Sequence, residues 1–272
     1  MTTMIHLTYL SVCRVSGPDA ADFLQSQLSA DISAVAEGRA SFAAYCSPRG
    51  QVLGLLLVCR TEDGFLLVAS KDLLESIVNR LRIFVMRSKV EFALQPEMNV
   101  FGSQPGTTAP GSLRLFKPAP PGLVYAIGAG AFKSGDESSI WKSQELLQGV
   151  AWLDETTTER FIPQMLGQDA IGALSFTKGC YPGQEIVART RYLGKVKRKP
   201  LVVMVGGRAE IDRGSSLAVL YSGESVKGTL IDSAQTGDGD TVLFIVTNLV
   251  ENVTPEKIVS DTFEFEVIQP PS

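Results

Sequence analysis

Histidine is almost missing from this chain: His6 is the only one in 272 residues. Its scarcity excludes a histidine-rich metal site and any catalytic triad that needs a second, internal histidine. His6 itself is read as an ordinary residue near a loose terminus. Cysteine is sparse too, at positions 13, 46, 59 and 180, with no CxxC pair and no zinc spacing. Four scattered thiols suit a reducing cytosol better than a disulfide scaffold, so a cytoplasmic protein is expected. No run reaches the ~18 consecutive apolar residues of a membrane span. The first residues, MTTMIHLTYLSVCRVSG, lack a charged leader and a long apolar stretch, so no signal peptide is expected. Charge of either sign is not in excess. A formal net charge of −4 gives no global pull toward nucleic acid or an anionic membrane. Any site for a polyanion has to be local.

What the chain does have is a hydrophobic content of 44%, enough for two or three compact units at this length. Its densest glycine punctuation lies in SFTKGCYPGQEIVARTRYLGKVKRK, residues 175 to 199. Lys178-Gly179-Cys180-Tyr181 should turn the chain, with Pro182 in a first helical turn. From Gly183 the pattern is helical, with Ile186, Val187 and Tyr192 on a broad apolar face and Gly194 as the stop. Cys180 would then sit at a helix N-terminus with Lys178 two residues away. Both features favour a thiolate, so a lowered pKa is expected if the sulfur meets solvent. The competing reading is a small buried core cysteine.

Residues 5 to 15 alternate loosely and should form a first strand. A helix should open at Gly17-Pro18-Asp19, capped by Ser16 or Gly17, and bury Phe23, Leu24 and Leu28. Gln25 and Gln27 read as solvated. Residues 40 to 47 and 51 to 59 should be strands joined by the turn Ser47-Pro48-Arg49-Gly50. The near-continuous apolar run from Val52 to Val58 implies burial on both faces. After a strand at 65 to 69, Ser70-Lys71-Asp72 should cap a helix through Leu81. Residues 95 to 122, rich in proline, glycine, serine and threonine, read as loops around short strands at Asn99 to Phe101 and Ser112 to Leu115, and not as a folded unit of their own. Leu123 to Ile127 is a further strand, and a helix should run from Trp141 through Glu145 to Gln148. From Leu201 onward, strand-length runs separated by glycine turns suggest a small antiparallel barrel. QPPS at the end should fray.

KGCYPGQE resembles the signature of the YgfZ family, folate-binding relatives of the glycine-cleavage T-protein, an aminomethyltransferase. The likeness extends through FIPQMLGQDAIGALSFTKGCYPGQEIVARTRYLGKVKRKPL, and VSGPDAADFLQSQLSADI and AAYCSPRGQVLGLLLV resemble the family as well. The resemblance implies an α+β cloverleaf of three subdomains, the aminomethyltransferase-like folate-binding fold, with a C-terminal antiparallel β-barrel. The folate-binding region would span 1–198, as about 1–50 with 140–198 and 51–139, and the barrel 199–272. It also implies tetrahydrofolate or a one-carbon derivative as cofactor, with no stably bound metal. The role would be an accessory one in synthesis or repair of iron–sulfur clusters, with client enzymes or assembly proteins as transient partners. Cys180 is then the working nucleophile or transient cluster ligand, assisted by Lys178. One cysteine cannot hold a stable four-cysteine cluster, so none is expected on the isolated protein.

By its distance from FIPQ, Trp141 matches a family tryptophan that binds folate, and its face would stack on the pterin; a core tryptophan is the alternative. Tyr181, Gly183, Gln184 and Glu185 would shape the turn or meet the pterin edge, and Arg191 would belong to the folate site. A second folate-contacting tryptophan of the family is replaced here by Leu10. The T-protein places a catalytic aspartate on the strand after the 47–50 turn, whereas Gly50-Gln51-Val52-Leu53-Gly54-Leu55-Leu56 holds no carboxylate. General acid–base work on folate nitrogens needs a titratable group in reach, so aminomethyl transfer is the second choice. Arg189, Arg191, Lys195, Lys197, Arg198 and Lys199 form an acid-free basic run. It reads as a solvated linking surface, a seat for the folate glutamate tail, or a polyanion site. RNA comes last, because no RNA-binding fold signature accompanies it.

Overall fold

The computed structural model describes residues 4–103, 106, 111–118, 122–129, 137–194, 196–221, 224–248, 255–260 and 264–268. Lys195, the Ser222-Gly223 turn, the QPPS tail and several prolines of the 95–122 stretch lie outside those residues. The first half of the chain builds two sheets from β1 (Ile5–His6), β2 (Leu10–Ser16), β3 (Ala40–Cys46), β4 (Val52–Thr61), β5 (Gly64–Ser70), β6 (Glu91–Leu94), β7 (Met98–Ser103), β8 (Arg114–Phe116) and β9 (Val124–Ala129). Helix α1 (Ala20–Gln27) follows β2, α2 (Lys71–Ile83) follows β5, and α3 (Ser138–Leu147) and α4 (Gln184–Tyr192) precede the last unit. That unit comprises β10 (Arg198–Val205), β11 (Ser216–Tyr221), β12 (Glu224–Gln235), β13 (Thr241–Asn248), β14 (Lys257–Val259) and β15 (Glu264–Ile268).

The strands form three assemblies: a five-stranded sheet ordered β3-β4-β5-β2-β6, a four-stranded sheet ordered β1-β7-β9-β8, and a closed antiparallel barrel. The barrel runs β10-β13-β12-β11-β14-β15, and β15 pairs back onto β10 to remove both edges. Strand β4 explains the arrangement best. Val52, Leu56 and Val58 enter the core shared with α1 and α2, while Leu55, Leu57 and Cys59 enter the core shared with the four-stranded sheet. Period-two alternation of a strand with apolar residues at every position glues two layers together.

Several local expectations change. The first strand is split, because Leu7 to Tyr9 carry the chain from one sheet to the other. Helix α1 starts after Asp19 and not after Ser16 or Gly17, and the Asp19 carboxylate instead accepts the Lys89 backbone N–H at 2.7 Å. Gly17 has φ +112° and packs against the Lys89 carbonyl, leaving no room for a side chain. Gln25 is not solvated: its carbonyl accepts from the backbone of Ile32 (2.7 Å) and Ser33 (3.3 Å), which shapes the loop after α1. The short strands expected in the 95–122 stretch are β7 and β8 of the four-stranded sheet, whereas β6, absent from the strand pattern, completes the other. The division expected at residue 50 falls in the turn between β3 and β4, two neighbours in one sheet.

Candidate functional site: the signature loop and its surroundings

The signature loop is held by three separate devices. Gly183 sits at φ +80°, and a Cβ there would meet the Ser47 carbonyl at 2.5 Å and Gly50 at 2.6 Å. Gly50, at φ +74°, closes the β3–β4 turn and would in its own turn clash with Ile186. The two glycines therefore interlock the signature with that turn, and only glycine serves at either place. The Lys178 ammonium donates to the backbone carbonyls of Leu28 (2.6 Å), Ala30 (3.0 Å) and Gln25, at and just beyond the C-terminal end of α1. The Gln184 amide closes the loop on itself with long contacts of 3.5 Å to the Lys178 and Gly179 carbonyls.

Lys178 is therefore an anchor, in place of the assistant to Cys180 expected from its position. Burial draws its pKa down to about 8, against the pull of Asp31. Its ammonium also lies 5.4 Å above the buried ring of Tyr181. Helix α4 begins at Gln184, so Pro182 precedes the helix and Cys180 stands a full turn before it. Of the helix's expected apolar face only Val187 is buried.

Cys180 is nevertheless set apart from the other cysteines. Its side chain is exposed, whereas Cys13, Cys46 and Cys59 are buried. Burial pushes the Cys13 thiol up to about 11 and Cys46 up to about 12, with Cys59 well above its ordinary value. Cys180 borders a groove of about 470 Å³ with Pro48, Tyr181, Pro182, Gly183 and Gln184, and Glu185 stands exposed on its rim. What this arrangement does chemically is present one thiol to solvent from a loop held at several points.

Trp141 is not part of that groove. It is 2% exposed, packed against Gly102 and edge-on to Tyr125, and its indole Nε1 has no partner among the described residues. The ring is a core residue, so the expected stacking face is closed. Arg191, in the last turn of α4, lies over the Phe176 ring at 5.2 Å. Of the residues assigned to the pterin, Tyr181, Gly183, Gln184 and Glu185 border the Cys180 groove, while Trp141 and Arg191 do not join them there. On β4, Gly54 faces Ile77, whose Cδ1 stands 2.5 Å from where a Cβ would be. The strand that carries a carboxylate in the aminomethyltransferase pattern is here sealed by an apolar contact. Leu10, by contrast, lines a groove of about 510 Å³ together with Lys71, Glu75 and Gln95. Its size and mixed lining suit a flat heterocycle with a polar edge.

Sequence reading missed one polar centre. Glu145 is fully buried on α3 and accepts hydrogen bonds from Tyr9 (2.6 Å), Tyr125 (2.7 Å) and Trp152 (3.1 Å). Burial pushes its carboxyl up to about 7, opposed by these three donors and by Lys142. Lys142 bridges on to Asp232 of the barrel at 2.8 Å, and Arg213 reaches Asp154 at 3.2 Å and Asp232 at 3.6 Å. The available signal was an acid one turn beyond Trp141, on the same helix face.

No family model matches the chain. An uncharacterised protein of Haemophilus influenzae is 32% identical over 252 residues, covering 91% of this chain and 90% of that protein. The tRNA-modifying protein YgfZ of Enterobacter sp. is 28% identical, covering 90% of this chain and 85% of the relative. Its Escherichia coli counterpart is 27% identical, covering 94% and 88%. The crystal structure of glycine cleavage system aminomethyltransferase T from Bartonella henselae matches with a TM-score of 0.72 over 99% of this chain and 85% of that one. At 14% identity that likeness shows the fold alone. With the signature loop, the cloverleaf of two sheets and a barrel, and relatives that span nearly its whole length, this chain belongs to the YgfZ family.

Proposed function

We propose that this protein is a cytoplasmic, tetrahydrofolate-binding accessory factor for the synthesis or repair of iron–sulfur clusters, working through Cys180. The observation that carries the reading is the contrast among the cysteines: one exposed thiol on a loop locked by Gly50, Gly183 and Lys178, and three buried ones. A single presented thiol supplies one ligand or one nucleophile and leaves the rest to the client. Family membership and the aminomethyltransferase fold support the folate part, with the Leu10 groove as its seat. Aminomethyl transfer is disfavoured because β4 carries no carboxylate and Gly54 is packed by Ile77. Because relatives are named for tRNA modification, enzymes that modify tRNA are the first clients to test.

In a strain lacking this protein, the wild-type gene should restore iron–sulfur enzyme activity and Cys180→Ser should not. Full rescue by Cys180→Ser would remove the thiol from the mechanism. Calorimetry of the purified protein with tetrahydrofolate tests the cofactor separately. Binding that weakens in Glu75→Ala and persists in Trp141→Phe is expected, and no heat from the wild type would end the folate assignment.

A further inference from the structure

The end of α4 and the start of β10 leave a strip whose composition is not explained by solvation. Arg189, Arg191, Lys197, Arg198 and Lys199 are all exposed, and none has an ion-pair partner among the described residues. Other described cations also lack an ion pair, Arg49, Arg87 and Lys227 among them, so what marks this strip is the run of positive charge without an acid from Arg189 to Lys199. Between these cations stand Tyr192, 68% exposed, and Leu193, 84% exposed. A surface that serves only to stay wet needs neither of them. Phe176 meets Tyr192 edge-on at 6.3 Å, and the Arg191 guanidinium lies over Phe176. This packing braces one side of Tyr192 and fixes the Arg191 plane. The one acid of α4, Glu185, lies in its first turn, at the opposite end.

Cations with no carboxylate among the described residues, beside a braced, exposed aromatic ring, match one class of ligand, a chain of phosphates carrying flat bases. The cations neutralise phosphates and release counterions, and the ring takes a base by stacking, whatever its sequence. An acidic protein segment would use the charges and leave Tyr192 idle. We propose that this strip binds single-stranded RNA, with Arg189, Arg191, Lys197, Arg198 and Lys199 on the phosphates and Tyr192 under a base. Sequence alone ranked RNA last for want of an RNA-binding fold; the exposure of Tyr192 and Leu193 reverses that order. The inference is independent of folate and of Cys180.

Fluorescence anisotropy with a labelled, unstructured RNA of about 12 nucleotides tests it, the length one such groove can hold. Wild-type affinity should fall steeply as salt rises from ~50 to ~200 mM. R189E/R191E should weaken binding at least about tenfold and lower the slope of log affinity against log salt by more than 1. Tyr192→Ala should cost about tenfold at an unchanged slope, and Tyr192→Phe should restore binding. Heparin, a polyanion without bases, should compete for the wild type but bind Tyr192→Ala undiminished. All these side chains are exposed, so unchanged melting curves separate binding from folding. RNA affinity that is absent, or indifferent to R189E/R191E, overturns the proposal. Equal loss of heparin and RNA in Tyr192→Ala overturns the stacking role. Capture of an acidic protein, abolished by the same charge reversal while RNA is ignored, would make the strip a protein-docking surface instead.

Discussion

The centre at Glu145 and the loop at Cys180 treat their reactive groups in opposite ways. Around Glu145 the side chains of a loop, a sheet, a helix and the barrel are drawn into one buried network. Its donors all point inward, and its work is to hold three assemblies in register. The signature loop is built just as firmly, but its buried contacts end one residue short of the sulfur: Lys178 and Tyr181 are tied down and Cys180 is left outside. A polar group satisfied on every side is architecture, and one left unsatisfied on a rigid frame is available for chemistry.

Breaking the Glu145 side should cost most. Glu145→Ala leaves the Tyr9 and Tyr125 hydroxyls and the Trp152 indole without their acceptor, and about 3–5 kcal/mol of stability should be lost in denaturant melts. The same residue gives a pH signature of somewhat smaller size. Its folded pKa of about 7 exceeds the ordinary 4.5, so its contribution to stability is full below 4.5 and is lost as pH rises through about 7. Wild type measured against Glu145→Gln should therefore weaken with rising pH across that window, by a difference on the order of 3 kcal/mol. A flat difference would mean that the carboxyl titrates at its ordinary value.

On the other side, Gly183→Ala forces a side chain into the left-handed region and against the Ser47 carbonyl. About 1–3 kcal/mol should be lost, and cellular function should drop with the loop's geometry. Cys180→Ser should be smallest of all in stability, within about 0.5 kcal/mol, because the side chain is exposed. In the native protein a thiol reagent should modify Cys180 alone, and the remaining three cysteines only on unfolding. Modification of a second cysteine under native conditions would erase the contrast between the two regions.

Much of the framework could be read from residue order because it rests on local rules. The β3–β4 hairpin follows from a Ser-Pro-Arg-Gly turn between apolar runs, α2 from its helical spacing, and the barrel from strand-length runs cut by glycines. KGCYPGQE was legible as a motif, and with it Cys180. What the pattern misplaced was anything set by distant partners. Lys178 reads as a neighbour of Cys180 because the two are close in sequence, yet its charge is drawn to carbonyls some 150 positions away. Trp141 stands at the right distance from FIPQ, but Gly102 and Tyr125 decide that its face is closed.

By itself, then, the sequence determined the order of elements, the turn glycines and the identity of one candidate nucleophile, since these depend on backbone preferences and spacing over a few residues. Which charges are buried, which rings are covered and which cations meet a carboxylate were set by the folded arrangement. Desolvation, packing and Coulombic pairing act through space, and their outcome for Glu145, Trp141 and Tyr192 was settled by residues far away in the chain.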